Sequence, residues 1–361
     1  MRAEAGVPQT SGVTPPAALS AVADRVSARL EGILAHETER WSALDPDLAA
    51  PIGALSRLAL VGGKRIRAAL CHWSFVGAGG DPDDPGMLDA AAAFELLQVF
   101  ALIHDDVMDG SATRRGTPTI HTKFAEVHET AGWRGDPRHF GEGVAILAGD
   151  VAHVYADRLM TGAPAEALEI WHELRIEVNI GQYLDLAGTV RGNTDLATAR
   201  RISRYKSGKY TIERPLHLGA ALHHRLAELR PGLDAYGVPL GEAFQLRDDL
   251  LGVFGEAELT GKPVGEDLRE GKPTPLLAVA TERATPAQLE VLRRVGSPHL
   301  DAADIALIQE VVTATGAKAA SEDTIRELTG RAAESLDGAP LTAEAIDAMC
   351  HLAAYVGSRD S

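Results

Sequence analysis

The chain has 361 residues, of which 45% are hydrophobic and 24% charged, and its formal net charge is −16. This length allows two domains or one large domain, and the apolar fraction is sufficient for a substantial core. The negative charge argues against nucleic acid or an anionic membrane surface as the main partner, although local clusters of basic residues still allow an anionic substrate.

Helical patterns follow one another along the chain. Residues 1–17, rich in Ala, Gly, Pro and Thr without periodicity, predict a disordered tail before one helical domain over 18–361. No alternating strand pattern and no repeat interrupts this domain, so the predicted class is all-α, a large single-domain bundle. The helices are predicted over 18–43, 51–60, 64–76, up to Asp109, and over 144–160, 164–186, 196–206, 211–226 and 239–254.

Turn and cap signals separate these helices. Thr117 predicts an N-cap with Pro118 in the first helical turn. Polar stretches with Gly and Pro predict loops over 133–143 and 255–271. Further N-caps are predicted at Thr285 and Asp301.

The chain gives no sign of export. Cys71 and Cys350, the two cysteines, lie in apolar helical context, so we expect no disulfide framework. The N-terminus has no apolar signal core, and no stretch is judged long enough to span a membrane. We therefore expect a cytoplasmic protein without a membrane span.

An acidic cluster ends the most apolar helix. The run 90–103 is rich in Ala, Leu and Phe, and Asp105, Asp106 and Asp109 follow it on roughly one helical face. Carboxylates this close repel one another, so a cation is expected among them, and Mg²⁺ bridging to phosphates fits oxygen ligands best. The alternative interpretation is a solvated acidic helix end.

A second acidic pair, Asp248 and Asp249, lies on another apolar helical segment, with Lys262 and Lys272 downstream. Two such pairs far apart in sequence suggest two walls of one cavity. Metal ions would bridge the walls to a polyphosphate, and the basic residues would bind the remaining oxygens.

These pieces together resemble the trans-isoprenyl diphosphate synthases, also called polyprenyl synthetases. The resemblance implies an all-α bundle around a central cavity, a homodimer, three Mg²⁺ ions per active site, and the substrates isopentenyl diphosphate and an allylic diphosphate. The matching stretches, in order between Gly62 and Leu277, are Gly62-Gly63-Lys64-Arg65-Ile66-Arg67, Asp105 to Asp109, Arg114-Arg115-Gly116, Gly181-Gln182-Tyr183-Leu184-Asp185-Leu186, Tyr205-Lys206-Ser207-Gly208-Lys209-Tyr210, and Asp248-Asp249 with Lys262 and Lys272.

The resemblance assigns a role to each group of residues. The expected Mg²⁺ ligands are Asp105, Asp106, Asp109 and Asp248, with Asp249 beside them. The expected ligands of the allylic diphosphate are Arg114, Lys206, Lys262 and Lys272. The expected pocket for isopentenyl diphosphate contains Lys64, Arg67 and Arg115, and Gln98 where many relatives have His. Gly252 departs from the family, which usually has a third Asp there.

Polar groups near the reacting carbon complete the expected site. The resemblance implies that Ser207, Tyr210, Gln182 and the Lys206 carbonyl stabilise positive charge, with Gln245 just before the second acidic pair. A satisfied buried pair of Gln182 with Asp185 is the other interpretation of those two residues. The residues that fit no such role are His104, interpreted as packed, and His223 and His224, which lack zinc-ligand spacing.

The implied reaction ionises the allylic diphosphate and couples the carbocation to isopentenyl diphosphate. Phe100 and Ala101, then Leu97 and Phe94, are expected to line the tunnel that sets product length, because they precede Asp105 on its helix. This pattern resembles synthases of the twenty-carbon geranylgeranyl diphosphate, with farnesyl diphosphate as the alternative. A class I terpene cyclase and a non-catalytic regulatory subunit are the remaining alternatives.

Overall fold

A computed structural model describes residues 14–192, 195–255, 264–297 and 299–359. Within these ranges helices dominate, and one hairpin pairs β1 (Thr113–Arg114) with β2 (Thr117–Pro118), so the all-α prediction is confirmed. The helices in chain order are α1 (Ala17–Ser42), a short 3₁₀ turn (Pro46–Leu48), α2 (Ala49–Leu60), α3 (Ile66–Gly77), α4 (Pro85–Asp109), α5 (Ile120–Ala131), α6 (Pro137–Leu159), α7 (Ala165–Arg191), α8 (Leu196–Ser203), a π-helical segment (Arg204–Glu213), α9 (Arg214–Leu222), α10 (Leu226–Phe254), α11 (Glu266–Glu270), α12 (Pro275–Arg283), α13 (Pro286–Leu292), α14 (Ala302–Ala314), α15 (Ala317–Glu334) and α16 (Ala343–Ser358). The predicted tail, 1–17, lies largely outside the described residues.

Helix α4 runs through the middle of the bundle, packed against α3 and α6. It starts after Asp84, whose side chain accepts a hydrogen bond from the Met87 N–H, and it ends at Gly110, which has φ 67°. The prediction that no stretch could span a membrane is wrong for α4, which is long and apolar enough. However, 67% of that apolar stretch is buried inside the protein, as in the core helix of a bundle.

Two clusters of buried apolar side chains form the core. The larger one contains the inward faces of α1 to α4, α6, α7, α9 and α16, and the smaller one lies among α11, α12, α14 and α15. Helix α10 contributes to both, with Leu233 and Tyr236 in the larger cluster and Leu250 and Val253 in the smaller. A single long helix therefore joins the two halves of the core.

Helix α10 begins earlier than predicted. The sequence predicted a start at Pro239, but α10 begins at Leu226 and contains both Pro231 and Pro239. Each proline removes one helical hydrogen bond. Burial of Leu229, Leu233 and Tyr236 along one face offsets that loss. Helix propensity is a local property and does not include this tertiary burial.

Other boundaries also differ from the sequence-based prediction, among them the predicted loop 255–271, which contains α11. Thr117 and Pro118 form β2 rather than a helix start, and α5 begins at Ile120 after Thr119. The predicted loop 133–143 ends early, because the Asp136 side chain caps α6. The predicted helix from 211 is replaced at its start by the π-helical segment. The N-caps at Thr285 and Asp301 are confirmed, each with a capping box.

Candidate active site

The carboxylates at the end of α4 are held by an arginine that is largely, but not fully, buried. Arg114, in β1, donates from Nε to Oδ1 of Asp106 at 2.7 Å, and its Nη2 lies 3.4 Å from Oδ2 of Asp105. Burial alone would lower the pKa of Arg114, but Asp106 and Asp105 outweigh it and raise that pKa. The hairpin thus places a permanent cation against the acidic cluster.

The π-helical segment supplies a second cation. Lys206 Nζ lies 2.6 Å from Oδ2 of Asp185 and 3.4 Å from Oδ1 of Asp105. Gln182 on α7 donates to the same Asp105 oxygen at 3.0 Å. Gln182 and Asp185 therefore have separate partners and do not form a pair with each other. A Cβ at Gly181 would lie 2.4 Å from the Lys206 backbone nitrogen, so glycine permits this close approach of α7.

Lys272 connects the end of α4 to α11. Its Nζ lies 3.1 Å from Oδ2 of Asp109, 2.5 Å from Oε2 of Glu270 and 3.7 Å from Oδ1 of Asp267. Burial opposes the charge on Lys272, but the surrounding carboxylates raise its pKa well above the ordinary value. Burial also raises the pKa of Asp109, and Lys272 partly counteracts this rise.

The second acidic pair faces two different environments. Asp248 pairs with Arg359, which follows the last helix and also donates to the Phe244 carbonyl at 3.2 Å. Asp249 is buried and accepts a hydrogen bond from Gln245 Nε2 at 2.7 Å. Burial raises the pKa of Asp249 well above its ordinary value, and its Oδ2 has no hydrogen-bond partner in the described part of the chain.

Gly252 leaves space for a carboxylate from another helix. An ideal Cβ on Gly252 would lie 1.9 Å from Oδ2 of Asp267 and 2.8 Å from its Cγ. No side chain at residue 252 can coexist with this position of Asp267, because real Cβ contacts do not fall below 3.0 Å. The Asp267 carboxylate therefore occupies space that a third Asp of the motif would need.

A cavity of about 130 Å³ adjoins Asp105, between α4, α7 and the π-helical segment. Phe100 and Ala101 line it, whereas Leu97 is fully buried in the core outside that lining, and Phe94 packs edge-on against Trp171. The other predicted site residues on its wall are Gln98, Arg67, Gln182, Lys206 and Ser207, together with Tyr210.

The basic residues expected to bind isopentenyl diphosphate come from three places: Lys64 precedes α3, Arg67 lies in α3, and Arg115 lies in the turn of the β1–β2 hairpin. Arg115 donates from Nη1 to the carbonyls of Leu58, at 3.2 Å, and Val61. Lys64 Nζ lies 5.5 Å from the centre of the Tyr355 ring. Arg67 stacks on Tyr210, with 4.4 Å from its Cζ to the ring centre, and donates to Thr211 Oγ1. Lys262 lies outside the described residues.

Sequence reasoning gave no role to three residues at the site. Asp267 and Glu270 belong to a stretch singled out only for its lysine, and their proximity to Gly252 and Lys272 depends on tertiary packing. Arg359 lies near the end of the chain, outside every motif. The surplus of carboxylates around Lys272 in the sequence was the one feature that could have pointed to Asp267 and Glu270.

The acidic residues suit hard divalent cations by their chemistry. Carboxylate oxygens are the preferred ligands of Mg²⁺, and Asp249 Oδ2 is a buried acceptor without a partner. In the described residues no three acidic or histidine side chains converge into a metal-ligand cluster. Instead the acidic side chains are paired with the cations of Arg114, Lys206, Lys272 and Arg359. The donor set therefore fits Mg²⁺, provided that some of these pairs open.

Comparison with known proteins identifies the family of this chain. The family model for polyprenyl synthetase matches residues 52–314. The solved structure of a geranylgeranyl pyrophosphate synthase from Corynebacterium glutamicum, complexed with isoprenyl diphosphate and magnesium, superposes with a TM-score of 0.89 at 39% identity, covering 94% of this chain and 99% of that one. A geranylfarnesyl diphosphate synthase from Aeropyrum pernix is 29% identical over 337 residues, 91% of this chain and 99% of its own. A geranylgeranyl diphosphate synthase from Mycobacterium tuberculosis is 36% identical over 233 residues, 62% of this chain and 61% of its own. The chain belongs to the polyprenyl synthetase family and is a prenyltransferase.

Proposed function

We propose that this prenyltransferase condenses isopentenyl diphosphate with allylic diphosphates and releases mainly the twenty-carbon geranylgeranyl diphosphate. The observation that carries the product is the cavity beside Asp105, in which Ala101 leaves room and Phe100 forms a wall. Relatives named for geranylgeranyl, geranylfarnesyl and farnesyl products support a short chain. Farnesyl diphosphate is the alternative product.

The two acidic walls would hold Mg²⁺ ions, three per active site. The proposed ligands are Asp105, Asp106, Asp109 and Asp248, with Asp249 beside them. When bound, Mg²⁺ supplies positive charge against the charge that develops on the leaving diphosphate. The related structure from Corynebacterium glutamicum, which contains magnesium and isoprenyl diphosphate, supports this assignment.

The cations at the cluster would bind the allylic diphosphate. A guanidinium has five N–H donors, so Arg114 keeps free donors for phosphate oxygens while it contacts Asp106 and Asp105. Lys206 and Lys272 are half-buried, and the neighbouring carboxylates raise the pKa of both, so each is positively charged and an anion is favourable between them. Lys262 is proposed for the same diphosphate on the strength of the family motif alone.

The polar groups of the cavity would then stabilise the allylic cation. Ser207, Gln182 and Tyr210 line the cavity beside Asp105, and Gln245 lies at the second acidic pair. Fixed dipoles in a dry pocket act on a developing charge without first reorganising. The double bond of isopentenyl diphosphate forms the new carbon–carbon bond, and a proton leaves the adjacent carbon for the departing diphosphate.

A second anion pocket would hold the diphosphate of isopentenyl diphosphate through Lys64, Arg67 and Arg115, with Gln98 nearby. Arg67 and Gln98 also line the cavity beside Asp105, so this pocket would adjoin that cavity. Burial lowers the pKa of Arg115, and the guanidiniums of Arg114 and Arg65 lower it further. An anion placed among these cations would relieve their repulsion. This second anion pocket argues against a class I terpene cyclase, which ionises one diphosphate only.

We also propose that the protein is a cytoplasmic homodimer of one-domain subunits without a membrane span and without a nucleic-acid partner. Large apolar side chains remain exposed along α6 and α7, as at protein interfaces. They are Ile146, Leu147, Val154, Ile176, Ile180, Tyr183 and Val190. Light scattering after size exclusion tests the dimer, and Tyr183→Asp should shift the equilibrium towards monomer.

One assay tests the proposed reaction. Purified protein is incubated with isopentenyl diphosphate, farnesyl or geranyl diphosphate, and Mg²⁺, and the extracted products are separated by chromatography. A twenty-carbon product supports the proposal, and loss of turnover by orders of magnitude in Asp105→Ala and Asp248→Ala supports the metal assignment. A fifteen-carbon product would favour farnesyl diphosphate, a cyclised product a terpene cyclase, and no product a regulatory subunit.

A further inference from the structure

Phe100 lies between two imidazole rings. The ring of His153, on α6, stacks on Phe100 with centroids 4.8 Å apart and planes inclined by 22°. The ring of His104, one turn further along α4, meets Phe100 edge-on at 4.7 Å. Because Phe100 lines the cavity beside Asp105, these two rings fix the position of one cavity wall.

Both histidines are themselves held in place. His104 Nε2 lies 3.0 Å from the Ile146 carbonyl oxygen, and a Cβ at Gly149 would lie 2.3 Å from that nitrogen, so only glycine lets α6 approach this ring. His153 Nε2 lies 3.3 Å from Nη1 of Arg175 on α7. Phe100 is thus clamped by side chains anchored on two neighbouring helices.

We propose that His153 is a specificity-determining residue that sets product length by holding the Phe100 ring in the cavity wall. This inference rests on the proposed function, since it requires the cavity to hold the growing hydrocarbon chain. His153 has no contact with the acidic cluster and acts only through Phe100. Arg175 and its partner Asp157 position His153 in turn.

The geometry explains why removing the His153 ring would change the length of the product. Inside a helix an aromatic side chain has two common χ1 rotamers, and the His153 ring from α6 stacks on Phe100, where it would restrict rotation between them. Without that ring, Phe100 can swing out of the wall, which opens several ångströms of depth. One helical turn is about 5 Å, so this depth is comparable with one more five-carbon unit.

The test compares the product distributions of His153→Ala, His153→Phe and Phe100→Ala with that of the unaltered enzyme, at saturating isopentenyl diphosphate. We expect Phe100→Ala and His153→Ala to move the main product by at least one five-carbon unit. His153→Phe, which restores a flat ring, should retain the original product. A purely structural role of His153 would change yield and melting temperature but not chain length.

Two results would overturn the proposal. One is an unchanged distribution in His153→Ala while Phe100→Ala makes longer products, and the other is an unchanged distribution in both. If His153→Ala does not fold by circular dichroism, His153→Ser is judged by the same criterion. Failure of the proposed function can be told apart from failure of the His153 proposal, because in the first case the unaltered enzyme itself would make no elongated linear product.

Discussion

The carboxylate of Asp267 on α11 lies directly against the backbone of Gly252 on α10, where an ideal Cβ would be 1.9 Å from Oδ2. This contact bears on the one departure from the family pattern in the second acidic motif. The third carboxylate is absent from α10, but Asp267 brings a carboxylate into the same space. Lys272, 3.7 Å from Asp267 and 3.1 Å from Asp109, then connects it to the first acidic cluster.

The first prediction concerns this contact. Gly252→Ala should displace Asp267 and raise the Mg²⁺ concentration for half-maximal activity by about tenfold, the size of effect expected when a group that orients metal ligands is moved. It should also lower the melting temperature, although alanine favours a helix. Mg²⁺ titrations of activity and thermal melts with Mg²⁺ and inorganic diphosphate provide the measurements.

Gly330→Ala is the matched control. Gly330 also lies within a helix, α15, but a Cβ there meets nothing within 4 Å. Its replacement should therefore stabilise the protein by roughly 0.5–1 kcal/mol, as alanine does in a helix interior. If Gly252→Ala behaved like Gly330→Ala in both measurements, Asp267 would have no part in metal binding.

The second prediction separates the two anion pockets. Lys64→Ala and Arg115→Ala should chiefly raise the KM for isopentenyl diphosphate, because Lys64 lies over the Tyr355 ring and Arg115 donates to the carbonyls of Leu58 and Val61. Lys272→Ala, which removes the cation beside Asp109, and Lys262→Ala should chiefly raise the KM for the allylic substrate. Steady-state kinetics with each substrate varied in turn measure the two KM values. If both pairs of variants raised the KM for the same substrate equally, the assignment of the residues to two anion pockets would be wrong.

The third prediction concerns acid stability. Burial lowers the pKa of His72, on α3, from 6.5 to about 4, and Arg25 contributes further. Since the folded-state value is depressed, the neutral imidazole stabilises the fold above pH 6.5, and this contribution is lost as the pH falls towards 4. The loss amounts to about 3 kcal/mol. Urea unfolding between pH 7 and 4 should therefore show a smaller loss in His72→Gln than in the unaltered protein.

The exposed His351 supplies the control for that experiment. His351→Gln removes an imidazole from the surface of α16 and so controls for the loss of a histidine outside the core. The buried His217, whose pKa burial also lowers to about 4, should add to the acid loss. Equal slopes for His72→Gln and the unaltered protein would mean that His72 is not the group that titrates.

The sequence allowed the fold class to be predicted, because helical periodicity is a local signal, and motif spacing selected several residues that the structure brings together. Gln182 Nε2 and Lys206 Nζ do lie close to the same oxygen, Oδ1 of Asp105, at 3.0 and 3.4 Å. The long π-helical segment and the start of α10 were not predictable, since tertiary burial there outweighs local propensity. The positions of Asp267 and His153 depend on contacts between helices that are far apart in sequence. No spacing of residues along one sequence predicts such contacts.

The last prediction concerns the pairing of Asp248 with Arg359. The Arg359 side chain is 6% exposed and that of Asp248 38% exposed, and the guanidinium stacks over the Phe244 ring at 4.1 Å. Arg359 therefore pairs with one oxygen, Oδ1, of a carboxylate that is proposed to bind Mg²⁺, and we expect it to compete with a metal ion there. Removing Arg359 should make Asp248 more available.

Accordingly, Arg359→Ala should lower the Mg²⁺ concentration for half-maximal activity roughly tenfold, since hydrogen bonds to charged groups contribute about 1.5–3 kcal/mol. Arg359→Lys should fall between the alanine variant and the unaltered protein. Arg326→Ala, which breaks the exposed pair with Asp323 on α15, is the matched control and should change nothing. Thermal shifts with Mg²⁺ and inorganic diphosphate give a measurement independent of turnover. An unchanged or increased Mg²⁺ requirement in Arg359→Ala would show that Arg359 does not compete with the metal but helps to organise its site.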